Sequence, residues 1–104
     1  MDAVLRAMSE PRRRAILSTV AFEERSAGEI HRSIGDISFG AVSQHLHILA
    51  EADLVSVRRE GRFRLYRAKR ETLRALRDWL DEMWGDALDD LRRLAEEEER
   101  KDRR

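Results

Sequence analysis

The sequence predicts a mainly α-helical domain of about five helices with one small two-stranded β-hairpin. Three observations carry the prediction. Apolar residues recur at helical spacing through most of the chain, and a Gly-containing corner at Gly35-Asp36-Ile37 separates two short helical patterns. The one stretch rich in β-branched and aromatic residues, 54–67, is split by Glu60-Gly61-Arg62. A chain of 104 residues accommodates one domain. Residues 1–98 are assigned to it, and the wholly charged 99–104 is expected to be a disordered tail.

Each element has its own signal. Val4, Leu5 and Met8 mark a short first helix that stops before Ser9. Ser9 is expected to cap a second helix with Pro11 in its first turn, where proline's missing N–H costs nothing, running to about Phe22 with Ile16, Leu17 and Val20 inward. Ser26-Ala27-Gly28-Glu29 fits a capping box for a third helix, with Ile30 and Ile34 inward. After the glycine break, Ser38 caps a fourth helix through about Ala52. Two short helices joined by such a corner form a helix-turn-helix pattern. The hairpin that follows, Leu54–Arg59 and Phe63–Arg67, cannot stand alone and must lean on the helices, leaving its arginine-rich tip projecting: a winged helix-turn-helix. A last helix from near Glu71 to about Glu98 carries Leu73, Leu76, Leu80, Met83, Ala87, Leu91 and Leu94 at spacings of three and four, flanked by Trp79, Trp84 and Leu88. That stripe is longer than a monomer of this size can cover, which points to a homodimer.

Composition narrows the function classes. The formal net charge is zero, but residues 1–70 carry +4 and residues 71–104 carry −4. Within the first part, 58–70 holds seven basic groups (Arg58, Arg59, Arg62, Arg64, Arg67, Lys69, Arg70) against Glu60 alone. Such segregation suits a polyanionic partner, although an ordinary solvated surface gives the same counts. Absence of cysteine removes disulfides, thiolate metal sites and thiol redox sensing. No run of 18 apolar residues occurs and the N-terminus lacks signal-peptide architecture, so a soluble, cytoplasmic protein without a membrane partner is expected. No Gly-rich phosphate loop, nucleophile motif or His-Glu-x-x-His is present, and Ser43 and His45 stand about 200° apart round a helix. The expectation is not an enzyme, with no cofactor.

On the fourth helix Val42, Leu46 and Leu49 share one face, so Phe39, Gly40, Ser43, Gln44 and His47 point the other way. Glutamine pairs well with adenine N6 and N7, serine serves base or phosphate, and an apolar ring contacts a thymine methyl. A generic polar helix face would look the same. Beside an arginine-rich hairpin, however, it becomes a groove reader next to a phosphate clamp for double-stranded DNA. His31 and His45 are assigned structural roles, and His45 and His47, two apart, project in different directions and make no zinc site.

In order and spacing, Leu5 to Leu17, Ala41 to Leu49, Leu54-Val55 and Arg59-Glu60-Gly61-Arg62 through Tyr66 resemble the ArsR family of winged helix-turn-helix repressors, over roughly residues 3–68. The long last helix with its two tryptophans is similar to the metal-independent branch of that family. The resemblance implies that the fourth helix enters the major groove, the wing lies along the backbone, and the first and last helices build a homodimer. By position it implies DNA contacts from Ser38, Phe39, Gly40, Ser43, Gln44 and His47 with Arg59, Arg62 and Arg64. It likewise implies an interface of Val4, Leu5 and Met8 with Leu73, Leu76, Trp79, Leu80, Met83, Trp84, Ala87 and Leu91. Members that sense metals use cysteines or His/Asp/Glu clusters, and this chain has no cysteine and no histidine beyond His47. No metal effector is therefore expected, and the sequence names no small-molecule or protein effector. His47 stands where a lysine is common, so a phosphate contact there would be sensitive to pH near neutrality. The alternative is a winged-helix protein-interaction module that does not read DNA sequence.

Overall fold

Local hydrogen bonds set the element boundaries in the computed structural model, which describes residues 1–103. In order the elements are α1 (Asp2–Met8), α2 (Pro11–Thr19), β1 (Arg25–Ser26), α3 (Ala27–Ile34), α4 (Phe39–Glu51), β2 (Val55–Glu60), β3 (Phe63–Ala68) and α5 (Arg70–Asp102). The chain divides into two units, Met1–Leu73 and the remainder from Arg74.

Ser9 closes α1 instead of opening α2. Its hydroxyl donates to the Arg6 carbonyl at 2.6 Å, so the cap of α2 falls to Glu10, whose carboxylate accepts from the Arg12 N–H at 3.3 Å. Pro11 takes the first helical position as expected. Helix α2 ends at Thr19, short of Phe22, because Val20 N–H turns back to Leu17 and Ser18 while Arg25 donates to the Thr19 carbonyl at 2.8 Å. Phe22 is left 79% exposed. The capping box of α3 is complete: Glu29 N–H donates to Ser26 Oγ at 3.2 Å and Ser26 N–H to Glu29 Oε1 at 3.1 Å. Gly35 then leaves the helix at φ 70°, a conformation that disfavours any side chain. Ser38 Oγ accepts from Ala41 N–H at 3.1 Å and starts α4.

The core of the first unit lies where α2, α3 and α4 meet the base of the sheet. Ile16, Val20, Ile30, Val42, Leu46, Leu49 and Leu54 are fully buried, each contributing about 1.5–3 kcal/mol of transfer free energy. The antiparallel sheet has strand order β1-β3-β2. The two-residue strand β1, absent from the sequence expectation, pairs Arg25 with Tyr66 and Ser26 with Leu65. The hairpin register runs from Val55↔Ala68 to Glu60↔Phe63, so the connection is Gly61-Arg62 alone. Gly61 has φ 60° and Arg62 does not enter the positive region, as in a type II′ turn. Alternation puts Val55, Val57, Arg59, Arg64, Tyr66 and Ala68 on one face, buried at its base and charged toward its tip.

The beginning of α5 is tied to the first unit. Lys69 N–H donates to the Leu54 carbonyl at 2.9 Å, and Thr72 Oγ1 to the Asp53 carbonyl at 2.6 Å. The helix continues to Asp102, so residues 99–102 are helical where a disordered tail was expected; Arg104 lies outside the described residues. Strong helix formers, the ion pairs Arg92–Glu96 and Arg103–Glu99, and basic Arg100 and Lys101 in the last turn account for the extension.

Three surface carboxylates of the first unit are held below their ordinary range by hydrogen bonds. Ser26 N–H does this to Glu29, Arg12 to Asp36, and Arg58 to Glu24. A group whose pKa is lowered on folding contributes stability above its unfolded value and loses it as pH falls through the folded one. Thermal stability should therefore decline below about pH 4, near the ordinary carboxylate range. Glu29→Gln should flatten the decline, and a slope identical to wild type would remove Glu29 from the effect.

Candidate nucleic-acid interface

With Val42, Leu46 and Leu49 fixed inward, α4 has no freedom to hide its other face. Ser38, Gly40, Ser43, Gln44 and His47 are exposed, and Phe39 is 50% exposed. The fold does not demand Gly40, since a Cβ there would meet nothing nearer than Ser38 Oγ at 3.9 Å.

A groove of about 670 Å³ opens between α4, the start of α3 and the sheet. It brings Phe39, Ser43 and His47 together with Arg59, Arg62 and Arg64, over a floor that includes Leu46, Val57 and Tyr66. Ser38, Gly40 and Gln44 lie on exposed α4 surface outside that lining. Ser26, Ala27 and Gly28 at the start of α3 and Arg32 in its last turn also line it. Sequence reasoning missed these residues because their place beside α4 depends on the angle of the turn at Gly35–Ile37, which no local pattern encodes.

The charges are sorted into paired and free. Arg12 is bound to Asp36 at 2.8 Å, Arg25 lies 3.6 Å from Glu23, and Arg58 holds Glu24 at 2.7 and 2.9 Å. Arg59, Arg62 and Arg64 make no ion pair among the described residues. Arg59 and Arg64 stand directly opposite each other across the hairpin, a like-charge juxtaposition that is unfavourable until an anion relieves it. Three cations without an ion-pair partner among the described residues, Arg59, Arg62 and Arg64, thus line the groove beside the polar face of α4.

The histidines divide as well. His31 Nε2 donates to the Ile37 carbonyl at 2.8 Å and meets Phe39 edge to face at 5.8 Å, which steadies the exposed ring. His45 Nδ1 lies 3.4 Å from Arg13 Nη1 and must accept, since arginine only donates. Arg13 also donates to the carbonyls of Ala7 at 2.7 Å and Arg6 at 3.3 Å, joining the end of α1 to α4. His47 remains exposed, 3.9 Å from Glu51. No group of three or more His, Cys, Asp or Glu among the described residues is arranged to hold a metal ion. Among the described residues no helix is long and apolar enough to cross a membrane.

The residues of the proposed subunit interface are placed unevenly. Val4 is buried in the first unit, leaving Leu5 at 37% exposure and the half-buried Met8 to present surface on α1. On α5, Leu73, Leu76, Trp79 and Leu80 are half-buried and Ala87 is exposed. Met83, Trp84 and Leu91, with neighbouring Leu88 and Leu94, are 49–62% exposed. Not one residue of α5 is fully buried.

A polar helix beside an arginine-bearing β-wing defines a winged helix-turn-helix transcription regulator, and comparison with known proteins agrees. Residues 8–58 match a family model described as a helix-turn-helix domain. Over 97 residues the chain is 37% identical to the HTH-type transcriptional regulator Rv2034 of Mycobacterium tuberculosis, covering 93% of this chain and 90% of that protein. Over 80 residues it is 34% identical to the transcriptional repressor SdpR of Bacillus subtilis, covering 77% and 88%. It superposes on an ArsR-like transcriptional regulator from Rhodococcus sp. RHA1 with a TM-score of 0.72 and 28% identity, over 94% of this chain and 89% of that one. The chain belongs to the ArsR family of helix-turn-helix transcriptional regulators. It is a DNA-binding regulator and not an enzyme.

Proposed function

We propose that this regulator is a homodimeric, metal-independent repressor that reads an inverted-repeat operator. In each protomer α4 enters the major groove with Ser38, Phe39, Gly40, Ser43, Gln44 and His47 toward the DNA. Arg59, Arg62 and Arg64 of the wing hold the phosphate backbone. Residues 1–98 act as one functional domain, α1 and α5 supplying the contact between subunits. The observation that carries this reading is the set of unpaired wing arginines sharing one groove with the polar face of α4. The naming of SdpR as a repressor supports the direction of regulation.

Gln44→Ala tests base reading. It should cost about 1–3 kcal/mol per base contact and relax preference at particular operator positions. Equal loss on operator and random duplex would reassign Gln44 to the backbone. Metal independence rests on the absence of cysteine and of any metal-holding cluster among the described residues. Micromolar zinc, cadmium or arsenite should leave operator affinity unchanged, whereas a stoichiometric loss would place the protein among metal sensors.

A further inference from the structure

The most heavily bonded arginine of the wing is not one of those assigned to DNA. Arg58 lies on β2 in register with Leu65 of β3, and Leu65 is in turn paired with Ser26 of β1. Its side chain is therefore on the face opposite Tyr66, Arg59 and Arg64. From there it spans the width of the sheet to Glu24, two residues before Ser26, donating from Nε at 2.7 Å and Nη2 at 2.9 Å; Nη2 also donates to Glu60 at 3.2 Å. Arg58 borders the groove, but its guanidinium is occupied.

We propose that the Arg58–Glu24 pair is a positioning strut that fixes the wing relative to the helices, so that Arg59, Arg62 and Arg64 meet the phosphates. The sheet needs such a tie. Strand β1 has only two residues, and β2 reaches it solely through β3. A two-stranded ribbon is marginal by itself, and β2 and β3 project with Arg59 facing Arg64. A bidentate guanidinium–carboxylate pair fixes distance and direction together, as a single point charge does not. Glu24 thus supports binding of a polyanion although it carries the polyanion's own sign.

This inference rests on the wing being the backbone contact, and the test separates the two. Binding to operator and to random duplex is measured against salt concentration for Glu24→Gln, Arg58→Gln, Arg58→Lys and Arg62→Ala, with amide exchange at Arg25 followed in parallel. Glu24→Gln should weaken binding roughly five- to tenfold despite adding positive charge, as expected for loss of one partner of a coupled pair. Arg58→Lys, which keeps the charge and loses the fork, should weaken it about as much as Arg58→Gln. Because the bound wing still makes the same phosphate contacts and only its pre-organisation is lost, all three should keep the wild-type salt slope and speed exchange at β1, while Arg62→Ala lowers the slope. Unchanged or tighter binding by Glu24→Gln overturns the strut. So does a wild-type affinity for Arg58→Lys combined with a lowered slope for Arg58→Gln, which would make Arg58 a phosphate ligand. An unchanged slope for Arg62→Ala overturns instead the wing reading on which the strut depends.

Discussion

Replacing Leu88 and Leu91 together by lysine should turn the protein into a monomer and reduce operator affinity by about 10²–10⁴-fold, the gain that linking two half-site contacts provides. The two leucines are each 62% exposed on a helix that buries none of its residues in the isolated chain. With Trp84 and Leu94 they are spaced three and four residues apart along one helix face, which Met83 adjoins. Covering it with a second copy is favourable by about 25 cal/mol per Å² of apolar surface before the costs of association. Lysines at its centre would have to be desolvated without partners. Sedimentation at micromolar concentration should show the shift from dimer to monomer. Because Trp79 and Trp84 are the only tryptophans, dilution of the wild type should also move their emission to the red. A wild type that is already monomeric and binds one half-site tightly would exclude the dimer.

Removing Arg59, Arg62 and Arg64 together should produce the second large effect. Each phosphate contact contributes about 0.9 to the slope of log affinity against log salt, so a dimer lacking all six should be shallower by roughly 5. The loss should be similar on operator and random duplex, since phosphate contacts carry no sequence information. Relief of the Arg59–Arg64 repulsion should meanwhile leave the fold as stable as before, or more so. A slope equal to the wild type's would move the backbone contact elsewhere, with Arg32 of α3 the next cation on the groove.

How far these features were legible in the sequence depended on whether their cause is local. The capping box at Ser26–Glu29, the cap at Ser38 and the burial of Val42, Leu46 and Leu49 follow from residues within a few positions of one another, and all are observed. Ser9 misled because a hydroxyl between two helices can serve either, and its bond to the Arg6 carbonyl is decided by how the chain turns at Pro11. Strand β1 was invisible because two residues have no periodicity and their partners lie forty positions away. In the basic run 58–70 all the arginines look alike. Only the sheet register separates Arg58, held by Glu24, from Arg59 and Arg64, which face the other side and make no ion pair among the described residues. The helical end of α5 was missed because a wholly charged segment reads as solvated, although its charges are spaced to pair along a helix.

Selection of bound sequences from a random duplex pool by the wild-type protein tests the central claim most directly. Two copies of α4 related by a two-fold axis should enrich an inverted repeat whose half-sites are centred about one turn apart, roughly 34 Å or 10 base pairs. Gln44→Ala should lose information at matching positions in both halves. Enrichment of a single half-site or a direct repeat, or no enrichment over the starting pool, would contradict a symmetric dimer reading the major groove through α4.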